Sequence, residues 1–342
     1  MNVSGTDPEG VRVWRGDEIE SVHEVHAAVA DPDGQVVARR GDPECRTYLR
    51  SAAKPVQVLP LVEEGLVDRF GFSGQELAVM AASHGGEPFH VAAVERILEK
   101  AGVDGGLLRC GPHAPLHEPS AAALRAAGRE PTPLHNNCSG KHAGMLAVCR
   151  ALGWPVATYL EPDHPLQERI WLIVADLAGL PAAGIGRAID GCGVPSFALP
   201  VRAMAVLYAR LAAADGARDS DLARAVGLVL DAMAAHPEYV AGTGRLCTDL
   251  MARAGGRVVV KTGAEGVYCA ALRGQRRGLA LKVADGARRA QDVALLALFA
   301  GIGVVEPAGD PVLAGHLAPP VTNRSGAVVG RIDARLPLES PA

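Results

Sequence analysis

The sequence has few aromatic residues and no excess of positive charge. Phe, Trp and Tyr make up 4% of the 342 residues, so the core must be built mainly from Ala, Val and Leu. The formal net charge is −4 at pH 7, which gives no indication of a surface that binds nucleic acid. Hydrophobic residues account for 49% and charged residues for 21%, a composition typical of globular proteins that argues against disorder.

The sequence shows no pattern that predicts an export signal or a membrane-spanning segment. The start, MNVSGTDPEG, is neither basic nor apolar, so no signal peptide is expected. The longest apolar run, residues 293–305, is too short to span a bilayer and predicts a buried helix instead. The seven cysteines form no dense framework, so we expect reduced thiols in a cytoplasmic protein.

No repeat or flexible linker divides the chain, and we therefore predict a single catalytic unit over residues 1–342. The DPDG turn at residues 31–34 predicts a hairpin, and GRVVVKTG, GVYCAALRG and GLALKVADG predict three consecutive antiparallel strands. Residues 51–254 show mostly the helical period. The predicted fold class is an α/β sandwich, in which residues 1–50 and 255–342 form an antiparallel sheet flanked by helices, with a helical subdomain between them.

Two separated motifs could supply serine chemistry. Ser51 and Lys54 form an S-x-x-K pattern, and Lys261 begins a K-T-G at a strand end, a combination found in serine β-lactamases. A serine hydroxyl is a poor nucleophile, so an amine with a lowered pKa has to accept its proton. The alternative is that Ser51 only caps a helix. Pro55 disfavours helical geometry at Lys54, so the turn is expected to be irregular or to start as 3₁₀.

Three further stretches are dense in reactive side chains. Ser83 precedes a Gly-Gly turn in ASHGGEPFH, where a capping serine on a loop is the alternative to a functional one. LHNNCSGKHAGM, residues 134–145, opens a helix whose free N–H groups favour a thiolate or a bound carboxylate. In IDGCGVPSFALP, residues 189–200, neither helical nor strand period is visible. Cys138 and Cys192 from these loops could form a disulfide, half of a zinc site, or no link.

Several of these motifs together resemble one family. RSAAKPVQ, ASHGGEPFH, LHNNCSGKHAGML, DHPLQ, DGCGVPSFALP, YVAGTGR and VVKTGAEGVYCAAL are similar, in order, to the L-asparaginase II family, the Rhizobium etli-type or class 3 L-asparaginases. The resemblance implies a fold like that of serine β-lactamases and glutaminases. It also implies hydrolysis of L-asparagine to L-aspartate and ammonia by a homodimer.

The resemblance also implies the residues of a double Ser–Lys centre. Ser51 and Lys54 would form one tandem, and Ser83 and Lys261 a second. On the residues alone, either serine could attack the substrate, and Ser51 activated by Lys54 is our working hypothesis.

A zinc ion beside this centre, one per chain, is a further implication of the resemblance. Its ligands would be water and three side chains, namely Cys138, Lys141 and Cys192. A lysine binds metal only as the neutral amine, so its pKa would have to be lowered. The ion would orient substrate rather than carry the attacking group.

Other residues of the same loops are candidates for substrate binding. Asp190 could hold the substrate amino group, and Arg50 could anchor the α-carboxylate or orient the tandem. His142 is a substrate-binding candidate and a rival to Lys141 as metal ligand, although neighbouring residues on a helix point apart. Cys247 is a candidate for the edge of the site, with ordinary helix packing as an equal alternative.

Two other functions have to be weighed against asparagine hydrolysis. The first is a glutaminase or another β-lactamase-like serine acyl hydrolase, although the absence of an S-D-N sequence argues against recognition of penicillins. The second is a non-catalytic protein that binds zinc or an amino acid. Such a protein would not need both serines, both lysines and both cysteines.

Overall fold

The computed structural model describes residues 8–214 and 220–340. The first residues of the chain, on which the expectation about a signal peptide rests, therefore lie partly outside it. Its β-strands, numbered in chain order, are β1 Gly10–Arg15, β2 Glu18–His23, β3 Val25–Ala30, β4 Val36–Arg40, β5 Arg46–Tyr48, β6 Gly186–Ile189, β7 Pro195–Pro200, β8 Val258–Thr262, β9 Val267–Leu272, β10 Arg277–Val283, β11 Pro320–Thr322 and β12 Val328–Arg335.

Most of the helices lie between β5 and β8, as the helical period predicts. The α-helices are α1 Lys54–Gln57, α2 Leu59–Glu63, α3 Leu66–Phe70, α4 Gly74–Met80, α5 Pro88–Ala101, α6 Glu118–Ala126, α7 Ser139–Leu152, α8 Pro165–Ala178, α9 Val201–Ala214, α10 Asp221–Ala235, α11 Pro237–Val240, α12 Leu246–Ala254, α13 Arg288–Gly301 and α14 Pro311–Leu317. No helix within the described residues is both long enough and apolar enough to cross a membrane.

The main sheet joins the two ends of the chain. Its order is β4-β3-β10-β9-β8, and all neighbouring strands are antiparallel. The hairpin predicted at residues 31–34 is β3–β4, and the three strands predicted after residue 255 are β8, β9 and β10. The predicted fold class, an antiparallel sheet with helices and a helical part, is confirmed.

Two smaller sheets complete the structure. The strands β11-β12-β1-β2 form one, again from both chain ends, and β5-β7-β6 form the other. Residues 189–200 show no strand period, yet Pro195–Pro200 form β7, which the sequence did not predict because a strand buried on both faces shows no alternation. A tight turn between β6 and β7 carries Cys192.

The core relies on small side chains, as the low aromatic content requires. Helix α9 packs on β10 and β3, and α13 packs on the main sheet and on β12. At Gly278 of β10, a Cβ atom would lie 2.1 Å from the carbonyl oxygen of Ala205 on α9. Only glycine allows the helix to approach the strand this closely. The run at residues 293–305 contributes the buried side chains of α13, which ends at Gly301.

Candidate active site

The Ser83 hydroxyl lies between two lysine amines. Lys54 Nζ donates to Ser83 Oγ at 3.0 Å, and Lys261 Nζ donates to the same oxygen at 2.8 Å. Ser83 is 3% exposed and each lysine 1%. The predicted contact between Ser83 and Lys261 is therefore present. Lys54 reaches Ser83 as well, and within the described residues no hydrogen bond of the Ser51 hydroxyl is seen.

Lys54 comes to this position through a tight turn. Residues Arg50–Ala53 form a 3₁₀ turn that runs directly into α1, which agrees with the expected 3₁₀ start. Lys54 has helical φ −61° and ψ −37° although the following proline disfavours this geometry, and Pro55 itself stands in the first helical turn, where no N–H is needed. The Lys54 amine also donates to the carbonyl oxygens of Ala82, at 2.5 Å, and Asn137, at 3.2 Å.

Burial shifts the protonation equilibrium of both lysines towards the neutral amine. Burial lowers the pKa of Lys54; the Cys138 thiol opposes this shift and the positive charge of Lys141 adds to it. Burial, reinforced by the charge of Lys54, holds the pKa of Lys261 well below its ordinary value. A neutral amine beside a hydroxyl can accept a proton from it, which is what serine activation requires.

Lys261 is the penultimate residue of β8, at the edge of the main sheet. Its amine also donates to the Thr262 carbonyl oxygen at 2.9 Å. At Gly263 an added Cβ atom would lie 2.8 Å from the Leu49 carbonyl oxygen. The glycine of the K-T-G motif thus lets the strand end approach the chain just before Ser51.

Arg50 has an unusual backbone conformation directly before Ser51. Its φ is +50°, a region that residues other than glycine seldom adopt. Its guanidinium forms two hydrogen bonds with Asp190, at 3.2 and 3.1 Å. Although burial opposes ionisation, this pairing lowers the pKa of Asp190, which is therefore a carboxylate. Two of the three residues predicted to bind substrate, Arg50 and Asp190, thus bind each other, and their contacts with substrate stay a prediction.

The predicted zinc ligands lie together. Lys141 Nζ donates to Cys192 Sγ at 3.1 Å, and the Cys138 thiol donates to Asn137 Oδ1 at 3.3 Å. The neighbouring Cys192 thiol, with the charges of Lys54 and Lys141, holds the pKa of Cys138 well below its ordinary value although burial opposes the shift. All seven cysteines are free, so the disulfide left open by the sequence is absent.

This donor set fits a zinc ion in its chemistry. Two thiols and an amine, all buried, converge from two loops, and thiolate is a preferred zinc ligand. No group of three or more His, Cys, Asp and Glu side chains that could hold a metal occurs in the described parts of the chain, so a site here depends on the lysine. Without metal, burial acts to lower the pKa of Lys141, but the thiols of Cys192 and Cys138 outweigh it and raise the pKa.

The side chain of His142 hydrogen-bonds to Tyr159, and among the described residues it shows no hydrogen bond to the thiols of Cys138 and Cys192. Its Nδ1 lies 2.7 Å from the Tyr159 hydroxyl. Its Nε2 is buried and has no hydrogen-bond partner in the described part of the chain. Burial holds the pKa of His142 well below its ordinary value, so the ring is neutral. A role in substrate binding stays a prediction.

Sequence reasoning missed several residues that hold the Ser83 turn in place. Arg245 Nη1 donates to the Ser83 carbonyl oxygen at 2.6 Å. The buried carboxylate of Glu87 accepts hydrogen bonds from the Thr243 main chain at 2.9 Å and hydroxyl at 2.8 Å. The high density of polar residues in ASHGGEPFH was the available signal, but nothing in it indicates that residues 243–245 are its partners. His84, in the same motif, also anchors the turn.

Two cavities border residues close in sequence to Ser83 and Lys261. A polar cavity of about 100 Å³ borders Thr262, next to Lys261, and is also lined by Arg245, Cys247 and Asp292. The Cys247 thiol lies 3.2 Å from the hydroxyl of buried Tyr268, so Cys247 both packs in α12 and borders this cavity. A larger cavity of about 550 Å³ lies between α5 and α6, beyond Gly86.

Comparison with known proteins gives one family. A family model described as L-asparaginase II matches residues 11–334. No curated protein matches the chain. Among solved structures, native Mglu in 4.3 M NaCl is 18% identical, with a TM-score of 0.42 over 79% of this chain and 59% of that chain. Mglu in its tris and glutamate form is 16% identical, with a TM-score of 0.45 over 90% and 65%. The chain thus spans less than two thirds of the length of these two structures.

Proposed function

Because the chain belongs to the L-asparaginase II family over residues 11–334, we propose that it hydrolyses L-asparagine to L-aspartate and ammonia. The observation that carries the proposal beyond the family is the Ser83 hydroxyl held between Lys54 and Lys261 at 3.0 and 2.8 Å. A hydroxyl and two amines with lowered pKa values form a path along which a proton can move. A protein that only binds zinc or an amino acid has no need of such a path.

We assign the attack to Ser51. Ser51 is half-buried, whereas Ser83 is 3% exposed, so Ser51 is the hydroxyl that substrate reaches more easily. Its oxygen bonds to the side-chain amide carbon while its proton passes to the neutral amine of Lys54. The carbon–nitrogen bond then breaks, and the leaving nitrogen takes a proton to depart as ammonia. Water hydrolyses the resulting aspartyl ester and restores the serine.

In this scheme Ser83 and Lys261 transfer protons and stabilise negative charge. The Ser83 hydroxyl contacts both amines, so it can pass the proton taken up by Lys54 towards Lys261 or the leaving nitrogen. The amines also stabilise the oxyanion of the tetrahedral intermediate, because a positive charge in a buried site interacts strongly with developing negative charge.

Ammonia release measured with L-asparagine and L-glutamine side by side tests the proposal. We expect faster turnover of L-asparagine, a loss of about 10⁴-fold or more in Ser51→Ala, and an aspartyl ester on Ser51 in acid-quenched wild-type protein. An ester on Ser83 would exchange the roles of the two serines. Full activity in Ser51→Ala would remove Ser51 as the nucleophile, and faster turnover of L-glutamine would make the protein a glutaminase.

A zinc ion, one per chain, is part of the proposal, with Cys138, Lys141 and Cys192 as protein ligands. When bound, it would supply a positive charge that orients the polar groups of the substrate. Lys141 would have to lose its proton on binding, because the amine coordinates only when neutral. Metal analysis of protein purified without a polyhistidine tag tests this site.

Homodimeric assembly, on the basis of the family resemblance, and a cytoplasmic location, on the basis of the free thiols, complete the proposal. Light scattering coupled to size-exclusion chromatography tests the first, and a mass of one chain would contradict it.

A further inference from the structure

His84 joins the Ser83 turn to the loop that carries the predicted metal ligands. Its side chain is completely buried. Its main-chain N–H donates to the Asn137 carbonyl oxygen at 3.3 Å, and the same oxygen accepts a hydrogen bond from Lys54 Nζ at 3.2 Å. The residue after Ser83 and the lysine in contact with Ser83 therefore share one acceptor.

The hydrogen bonds of the imidazole identify its tautomer. The Gly86 main-chain N–H donates to His84 Nδ1 at 3.1 Å, so Nδ1 carries no proton. The proton is then on Nε2, which donates to Ser139 Oγ at 2.9 Å. The Ser139 hydroxyl in turn donates to the Leu134 carbonyl oxygen at 2.9 Å. The ring thus spans from the turn after Ser83 to the first residue of α7.

The ring stays in this state because it is neutral over the physiological pH range. Burial, reinforced by the neighbouring His90, holds the pKa of His84 well below its ordinary value. The ring of His90 stacks on that of His84 with centroids 4.9 Å apart. Protonation of Nδ1 would remove the acceptor for Gly86, so the neutral ring is needed for both hydrogen bonds.

We propose that His84 is a positioning residue that holds the Ser83 hydroxyl between Lys54 and Lys261 by tying its turn to Ser139. The proposal rests on the proposed function, in which Ser83 passes protons between the two amines. His84 contacts neither lysine amine through its side chain. It acts through the position of Ser83, where a shift of about 1 Å costs about 100-fold in rate.

Three substitutions separate the two hydrogen bonds of the ring. His84→Phe removes both, His84→Asn keeps an acceptor near Nδ1 for Gly86, and His84→Gln places an amide N–H near Nε2 for Ser139. We expect kcat for L-asparagine to fall about 100-fold in His84→Phe and to stay low in His84→Asn. His84→Gln should recover most of the loss. KM should change little in all three, because His84 does not touch substrate.

His164 offers a matched control that has no hydrogen bond to the serine–lysine group among the described residues. It is buried, its Nδ1 accepts from the Leu166 main-chain N–H at 3.2 Å, and its Nε2 lies 3.1 Å from the Pro155 carbonyl oxygen. His84 shows the same pattern, in which Nδ1 accepts a hydrogen bond from the main-chain N–H two residues later and Nε2 serves as the donor. His164→Phe should lower the thermal midpoint and leave kcat nearly unchanged. An equal fall of kcat in His164→Phe, or wild-type kcat in His84→Asn, would overturn the proposal.

A spectroscopic measurement keeps this test separate from that of the proposed function. Long-range ¹H–¹⁵N correlation spectra should show His84 as the Nε2–H tautomer with shifts that do not change between about pH 5 and pH 9. A His84 ring that titrates in this range, or that carries its proton on Nδ1, would overturn the proposed hydrogen bond from His84 to Ser139. If the protein releases no ammonia but His84 is the Nε2–H tautomer with shifts that do not change with pH, asparagine hydrolysis is overturned. The proposed hydrogen bond from His84 to Ser139 would still stand.

Discussion

Lys261 illustrates how a residue can serve the site at the expense of stability. Its amine is buried, and Ser83 and the Thr262 carbonyl are its hydrogen-bond partners within the described residues. Burial and the charge of Lys54 hold its pKa well below its ordinary value. In the unfolded chain the amine returns to a pKa of about 10.4. Between the folded and unfolded pKa values the unfolded state binds more protons than the folded state, so the penalty on folding shrinks as pH rises and disappears above about pH 10.4.

Replacement of Lys261 by an apolar residue of similar shape should therefore stabilise the protein while it abolishes activity. We expect the free energy of unfolding of Lys261→Met to exceed that of the wild type by about 1–3 kcal/mol at pH 7. Because the unfolded lysine loses its proton as pH rises, the difference should shrink towards pH 10. Urea unfolding at several pH values measures this. A variant less stable than the wild type at pH 7 would contradict the prediction.

At the scale of elements, the site depends on how closely β8 approaches the 3₁₀ turn before α1. Gly263 ends the K-T-G segment, and a Cβ there would lie 2.8 Å from the Leu49 carbonyl oxygen. The strand end and the turn carry Lys261 and Ser51, so their separation sets the distance between these residues. The chain offers a comparison in Gly274, in the β9–β10 connection, where a Cβ would meet nothing within 4 Å.

Gly263→Ala should push β8 and the turn apart, whereas Gly274→Ala should be tolerated. We expect Gly263→Ala to lower the free energy of unfolding by about 1–3 kcal/mol and to reduce ammonia release. Gly274→Ala should change stability by no more than about 0.5 kcal/mol. Equal urea midpoints for the two variants would show that the close approach does not constrain the site.

At the scale of the whole molecule, the site lies where three parts of the chain meet. Lys261 comes from the main sheet, Cys138 and Lys141 from the start of α7, and Cys192 from the turn between β6 and β7. A metal ion held by the last three would join α7 to the small sheet. Because such an ion binds the folded state only, it would stabilise the protein by mass action.

Zinc removal should therefore lower the thermal midpoint of unfolding. We expect a chelator to destabilise the wild type, whereas Cys138→Ser should have a lower midpoint that the chelator does not change. Cys149→Ser is the control, since Cys149 is buried in the same helix but outside the group of thiols and amine. This variant should stay sensitive to the chelator. Wild-type protein with no zinc and no response to the chelator would exclude the metal site.

The sequence alone predicted the local features of the fold. The 31–34 turn, the strands β8 to β10 and the amphipathic helices follow from patterns within short windows, which is where side-chain period and turn chemistry act. The strands β6 and β7 were missed, since β6 has only 4 residues and β7, which is buried on both faces, has no alternation to detect. The tight 3₁₀ start at Ser51 was expected, since Pro55 constrains its neighbour.

The motifs of the sequence by themselves determined which residues could carry chemistry: two serines, two lysines, two cysteines and Lys141. Only the tertiary structure decided which of them touch. S-x-x-K spacing favours contact between Ser51 and Lys54, yet Lys54 reaches Ser83, where Lys261 also arrives. Helical spacing determines the position of the Cα and Cβ atoms of a residue. The amine of a long buried lysine lies several bonds further on, next to the acceptors whose hydrogen bonds offset the cost of removing it from water. Those acceptors come from segments distant in sequence, and only folding brings them together.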